Sequence, residues 1–106
     1  MSENKLVSTA FEVFAKQAPG QAAAWNSLVQ ALAAANALDQ KTTALAYLAV
    51  LAVLGLESGI PFHVNSAKQS GATREEVISA VLLGLPAAGH TVTRVLPAAV
   101  IAFDAE

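Results

Sequence analysis

The chain has 106 residues, the usual size of one domain, so a single domain is expected over 1–106. Cysteine is absent, which excludes disulfides, thiol nucleophiles, CxxC redox pairs and iron–sulfur clusters. The formal net charge is −2 and only six basic residues are present, scattered along the chain. A nucleic-acid partner is therefore not expected.

The composition is unusually apolar for a short chain. Hydrophobic residues make up 55% and charged residues 13%, against about 25% charged residues in typical globular domains. Short chains bury a smaller fraction of their surface than long ones. Because soluble monomers rarely expose large apolar patches, we expect the chain to assemble with copies of itself.

The most apolar segment, 44–56, is shorter than the roughly 20 residues that a membrane-spanning helix needs. It is interpreted as a buried core helix, and no membrane partner is expected. The N-terminal residues show no basic region followed by an apolar core, so they do not resemble a signal peptide. With the lack of cysteine, these features favour a cytoplasmic location.

Apolar residues at helical spacing predict two N-terminal helices separated by Pro19 and Gly20. The first helix has an apolar stripe formed by Val7, Phe11, Phe14 and Ala18. The predicted buried face of the second consists of Trp25, Leu28, Val29 and Leu32.

A third helix is predicted after Asp39, whose side chain is a suitable N-cap. It is apolar nearly all the way round, as expected of a central helix surrounded by others. Pro61 lacks a backbone N–H and predicts a break followed by a fourth helix. Ser58 is a candidate cap for that helix, with Pro61 in its first turn.

The fourth helix is expected to stop at Gly71, and Thr73 with Glu76 forms a capping-box pattern that starts a fifth. The fifth helix leads to Pro86, and a last helix carries apolar residues up to Phe103. Pro97 is expected to kink that helix or to mark a late start. The sequence thus predicts an all-α fold of about six helices around a central hairpin of the third and fourth.

His63 follows the predicted break and has apolar neighbours, which lower the pKa of an imidazole by desolvation. This suits a general acid or base. The alternative is a half-buried histidine whose ring binds a backbone carbonyl. Glu57, six residues earlier, could orient the imidazole or lie in solvent.

His90 and Arg94 are four residues apart at the predicted start of the last helix, so they are expected to share a face and could hold a carboxylate. The alternative is a solvated polar rim. Two histidines without the i, i+4 spacing of metal ligands make a poor metal site. No metal and no cofactor are predicted.

Several of these features in order resemble the alkylhydroperoxidase D-like, or carboxymuconolactone decarboxylase, family. They are the segment 38–42, an apolar helix, a break, His63 with an alanine four residues on, and the segment 71–77 (GATREEV). The resemblance spans about 25–103. It implies the family's helical bundle, and assembly into trimers or hexamers.

The redox branch of that family carries Cys-x-x-Cys-x-x-x-His and an upstream glutamate. Aligning the family histidine with His63 places the two cysteine positions at Leu56 and Gly59 and the glutamate position at Ala44. All three functional groups are missing. Peroxidase activity is therefore disfavoured, because no thiolate is present to attack a peroxide.

The cysteine-free branch has a histidine in a similar His-Val context, as in His63-Val64. That resemblance implies a cofactor-free decarboxylase-type lyase acting on a small carboxylated compound. His63 would supply the proton, and Arg94 with His90 would bind the carboxylate. Segment 57–62 lacks the aromatic and acidic pattern of that branch. The alternative is a non-catalytic oligomeric binding or assembly module of the same fold.

Overall fold

The computed structural model describes residues 8–105 and contains seven α-helices and two 3₁₀ segments. The α-helices are α1 (Thr9–Gln17), α2 (Pro19–Ala35), α3 (Gln40–Leu54), α4 (Ile60–Gln69), α5 (Arg74–Leu82), α6 (Leu85–Ala88) and α7 (Leu96–Asp104). The 3₁₀ segments are Glu57–Gly59, before α4, and Gly89–Val95, before α7.

The predicted all-α fold is confirmed, since the described residues contain no strand. All the α-helices except the four-residue α6 contain nine residues or more, close to the expected number of about six. The predicted central hairpin is also present, because α3 and α4 pack against each other.

The hydrophobic core forms around α3, which packs on α4, on α5 and on the 3₁₀ segment before α7. Helix α7 closes the core by packing on α4 and α5. The largest fully buried side chains are Leu48, Ile60, Val64, Val77, Val81, Val92 and Val95. These seven residues come from α3, α4, α5 and the second 3₁₀ segment, so one core holds the chain from 40 to 104 together.

Local sequence signals set the ends of the core helices as predicted. Asp39 is the N-cap of α3 and accepts a hydrogen bond of 2.7 Å from the backbone N–H of Thr42. Thr73 and Glu76 form a complete capping box at the start of α5. Gly71 follows α4 with φ +96°, in the left-handed region where glycine is favoured.

The start of α4 differs from the prediction. Ser58 lies inside the 3₁₀ turn, and the N-cap position is held by Gly59, which has no side chain to cap the helix. Ser58 is therefore not the cap of α4. Pro61 lies in the first turn as expected, where a missing backbone N–H breaks no helical hydrogen bond.

The last helix starts later than His90. Helix α7 begins at Leu96 with Pro97 in its first turn, so Pro97 marks a late start rather than a kink. Residues 89–95 form a 3₁₀ segment, and Gly89 at its beginning has φ +75°. The chain thus turns between α6 and α7 at a residue that tolerates this backbone conformation.

Polar contacts attach the end of α7 to α4 and α5. The guanidinium of Arg74 donates two hydrogen bonds to the Asp104 carboxylate, at 2.9 and 3.2 Å. The Lys68 ammonium donates to the backbone carbonyls of Phe103 and Ala105, and it also lies 4.9 Å from the centre of the Phe103 ring. A lysine at this place satisfies carbonyls that a helix C-terminus leaves unpaired.

The predicted burial of the second helix is wrong for a single chain. Neither α1 nor α2 has a buried residue, and α2 packs mainly on α1. The four apolar residues expected to be buried are exposed: Trp25, Leu28, Val29 and Leu32. Periodicity shows which face of a helix is apolar, but nothing in this chain covers that face. Val7, predicted on the first helix, lies outside the described residues.

Helix α3 is not surrounded on all sides, in contrast to the prediction. One side is buried in the core, while Tyr47, Val50, Val53 and Leu54 on the other side are 40–61% exposed. Phe62 of α4 and Leu83, next to α5, are exposed as well. We call these six residues the α3 face.

One helical run, Arg74–Asp104, is long and apolar enough to cross a membrane by length and composition alone. Several of its side chains, including Val77, Val81 and Val92, are buried against the rest of the core. The run also turns at Gly89. Core helices of soluble proteins share this length and composition, so these two properties do not indicate a membrane span.

Candidate functional site

His63 lies in the first turns of α4, next to the exposed side of α3. Its ring is half-buried between two aromatic side chains. The ring centres of Tyr47 and His63 are 4.3 Å apart with the planes tilted by 43°, and the Phe62 ring centre is 5.0 Å away in an edge-on arrangement. The break before α4 therefore sets the imidazole at the border between an apolar surface and solvent.

Burial lowers the pKa of His63 below its ordinary value of 6.5, because desolvation penalises the charged imidazolium. The ring forms no hydrogen bond with any residue in 8–105, and no ring nitrogen there is buried without a partner. Both ring nitrogens therefore reach solvent. The arrangement provides a mainly neutral imidazole at pH 7 that is open to a ligand.

The structure shows only part of the arrangement that the alternative interpretation of His63 expects. The half-buried position is present, but a hydrogen bond from the ring to a backbone carbonyl of residues 8–105 is not. Burial without such a bond leaves the imidazole chemically available.

Glu57 is exposed in the 3₁₀ turn before α4. Its backbone participates in the turn, since its carbonyl accepts a hydrogen bond from the N–H of Ile60. Within the described chain its carboxylate forms no hydrogen bond or ion pair with His63. In this structure the two predicted site residues are therefore not joined by a polar interaction.

His90 and Arg94 are both exposed in the second 3₁₀ segment. The backbone carbonyl of His90 accepts a hydrogen bond of 2.8 Å from the hydroxyl of Thr93. A 3₁₀ helix has 3.0 residues per turn, so side chains four residues apart point about 120° away from each other. The shared face expected from an α-helical start at His90 is therefore not formed.

The 3₁₀ segment with His90 and Arg94 lies near the C-terminal end of α3. A Cβ atom on Gly55, the residue after α3, would lie 3.9 Å from the methyl group of Thr91 in that segment. His63 lies beside Tyr47. Tyr47 is on α3, eight residues before Gly55. At 1.5 Å per residue, about 12 Å of α3 separates the two places. The structure does not join His63, His90 and Arg94 by direct contacts.

Sequence reasoning missed Tyr47 as a member of the site. It lies on an almost wholly apolar helix, 16 positions before His63, and no local motif connects the two residues. The one signal in the sequence is the tyrosine itself, because it places an aromatic ring with a polar hydroxyl in an otherwise apolar segment.

Two surface grooves lie away from His63. An open groove between α3 and α5 is lined mainly by apolar atoms of Leu45, Ala46, Ala80 and Leu83. A second, more polar depression contains the Lys41–Glu76 ion pair, with an N–O distance of 3.0 Å. Neither encloses His63, and residues 8–105 contain no group of three or more His, Asp or Glu side chains arranged to hold a metal ion.

One of the comparisons with known proteins identifies a family for this chain. The sequence model of the carboxymuconolactone decarboxylase family matches residues 19–102. No curated protein and no solved structure shows a significant match. The family match extends from the start of α2 into α7 and includes His63, His90 and Arg94. The chain therefore belongs to the carboxymuconolactone decarboxylase family.

Proposed function

We propose that this protein is a cofactor-free lyase that removes carbon dioxide from a small carboxylated compound, with His63 as the acid–base group. The observation that carries the proposal is the His63 ring itself. It is half-buried between Tyr47 and Phe62, its pKa is lowered by desolvation, and its nitrogens have no partner within the described chain. Family membership supports the reaction class.

Decarboxylation of a carboxylate consumes one proton. The bond between the carboxylate carbon and the neighbouring carbon breaks, carbon dioxide leaves, and the electron pair stays on the remaining carbon. His63 then gives its proton to that carbon. The neutral imidazole takes a proton back from solvent, which completes the balance.

A lowered pKa is compatible with this role because the substrate is an anion. A carboxylate close to the imidazole favours its charged form and raises its pKa. Binding of the substrate would therefore load His63 with the proton that the reaction consumes. In the free protein the same ring stays neutral at pH 7 and avoids the cost of a half-buried charge.

Arg94 and His90 are the proposed carboxylate-binding groups. They are exposed near the C-terminal end of α3 and have no ion-pair partner in residues 8–105. About 12 Å of α3 lies between them and the Tyr47–His63 pair. A small compound does not span that distance, so these groups would meet a ligand at His63 only across a subunit boundary. We assign no role to Glu57, because its carboxylate forms no hydrogen bond or ion pair with His63 in residues 8–105.

The test is turnover. Carbon dioxide release from a panel of carboxylated lactones and dicarboxylates would be measured for the wild type, for His63→Gln and for a control, Gln69→Asn, on the exposed end of the same helix. General acid–base catalysis typically contributes about 10²–10⁴-fold, so His63→Gln should lower kcat by that factor and the control should not. Arg94→Ala should mainly raise KM.

Unchanged turnover in a folded His63→Gln variant would contradict the proposal. A second candidate function is a non-catalytic assembly module, which is favoured by the exposed apolar side chains of α2 and of the α3 face. That function predicts self-association without carbon dioxide release from any compound in the panel.

We also propose that the protein is a cytoplasmic homo-oligomer, a trimer or a hexamer.

A further inference from the structure

The two N-terminal helices form an apolar arm that the rest of the chain does not cover. Helices α1 and α2 contain nine and 17 residues, and none is buried. In α2 the large apolar side chains are Trp25, Leu28, Val29 and Leu32, which are 44–61% exposed. Their spacing of i, i+3, i+4 and i+7 places them on one stripe of the helix.

The junction between the arm and the core is held by side-chain hydrogen bonds. The Asn36 amide donates a bond of 2.7 Å to the Thr43 hydroxyl, and its carbonyl oxygen accepts one of 2.9 Å from the N–H of Leu38. The first bond connects the residue after α2 to the first turn of α3, and the second lies within the connection between the two helices. The arm is thus attached to the core at its end, while its apolar stripe stays exposed.

The core exposes a second apolar surface, the α3 face. Tyr47, Val50, Val53 and Leu54 follow one side of α3, flanked by Phe62 and Leu83. His63 lies at its edge, next to Phe62 and against Tyr47. No residue from 42 to 56 is charged, so covering this surface requires no desolvation of an ion on α3.

The two surfaces match in length and in chemistry. The stripe of α2 runs over 25–32 and that of α3 over 47–54, so each extends about 10 Å along its helix. Residues 19–35 are also uncharged.

We propose that α2 of one copy packs across the α3 face of a second copy. Each chain carries one arm and one face, so exchange of arms covers both surfaces in every subunit. The lack of lysine and arginine in α2 argues against a membrane surface, because helices that lie on membranes usually carry basic residues on the polar side. The arm of the second copy would then form one side of the site at His63. The packing itself is independent of the lyase reaction.

The test compares two double substitutions on α2 of the full chain. Leu28→Glu with Leu32→Glu places charges on the apolar stripe, whereas Ser27→Glu with Ala34→Glu places the same charges on the opposite side of that helix. Light scattering should show assemblies of two or more 10.8 kDa chains for the wild type and for the variant with Ser27→Glu and Ala34→Glu. The variant with Leu28→Glu and Leu32→Glu should have a lower mass. Val50→Glu with Leu54→Glu, two exposed positions of the α3 face, should lower the mass in the same way.

Cross-linking tests which helices meet. Because the chain has no cysteine, Leu28→Cys and Val50→Cys can be introduced separately into two co-expressed chains of different tag length. A short bismaleimide should link the two chains, and replacing Leu28→Cys by Ser27→Cys should largely abolish the product. A monomeric wild type, an assembly that survives charges on the α2 stripe, equal cross-linking from positions 27 and 28, or binding of monomers to lipid vesicles would each overturn the proposal.

Discussion

The rings of Tyr47 and His63 contact each other across the α3–α4 hairpin, with 4.3 Å between their centres. This contact places the histidine at the edge of the exposed α3 face. The proposed acid–base group and the proposed docking surface are therefore neighbours. Covering the α3 face would remove more water from the imidazole and lower its pKa further.

His63 makes the stability of the fold depend on pH. Its pKa is lower in the folded chain than in the unfolded chain, so the unfolded state binds more protons between the two values. The stabilisation is complete above pH 6.5 and is lost as the pH falls from there through the folded pKa. The carboxylates of Asp39, Glu76 and Asp104 have lowered pKa values and affect stability only at more acidic pH.

We therefore expect the wild type to lose stability between pH 7.5 and 5.5, and His63→Gln to lose less. Urea unfolding at both pH values and equal protein concentration measures the difference. His90 is retained in both proteins and serves as an internal control. An equal or larger loss in His63→Gln would show that the desolvated imidazole is not responsible.

Close packing between Gly84 and Val53 predicts a specific pair of mutants. A Cβ atom on Gly84 would lie only 2.6 Å from a methyl group of Val53, which is stiff because valine is β-branched. Gly84→Ala should therefore destabilise the fold by about 1–3 kcal/mol. Adding Val53→Ala should recover most of the loss, as measured by a double-mutant cycle in urea. No loss in Gly84→Ala would mean that the two segments are not in close contact.

The capping box of α5 predicts a local effect on stability. The Thr73 hydroxyl accepts a hydrogen bond of 3.1 Å from the backbone N–H of Glu76. Thr73→Ala removes it and should cost about 1 kcal/mol, whereas Thr73→Ser keeps the hydroxyl and should cost less. Thermal unfolding followed by circular dichroism measures both variants. Equal Tm values for the two would contradict a role for the cap.

Trp25 reports directly on the arm. It is the only tryptophan and is 46% exposed in the single chain. If a second copy covers α2, its emission should lie at shorter wavelength in the wild type than in the variant with Leu28→Glu and Leu32→Glu. The variant with Ser27→Glu and Ala34→Glu should resemble the wild type. The same emission maximum in all three proteins would contradict coverage of the arm.

Local patterns were sufficient to predict the helix ends that depend on adjacent side chains. Asp39 and the Thr73–Glu76 box bond to backbone groups a few residues away, so their roles follow from sequence spacing. The 3₁₀ segment before α7 was not predicted, because the apolar pattern from Val92 onwards fits an α-helix as well.

Tertiary relationships were beyond the sequence. The apolar stripe of α2 was recognised, but its burial depends on a surface that a single chain does not provide. The contact of Tyr47 with His63 depends on how α3 and α4 cross, which helical periodicity alone does not determine. His63 itself could be selected because its apolar neighbours and the preceding break are visible in the sequence.

The most direct test of His63 as the acid–base group is an NMR pH titration of the two imidazoles, with and without small carboxylated ligands. Only His63 and His90 contribute signals. The proposal predicts a pKa below 6.5 for His63 in the free protein and a rise in this pKa when a substrate-like carboxylate binds. A His63 pKa that no carboxylated ligand changes would contradict the proposed function.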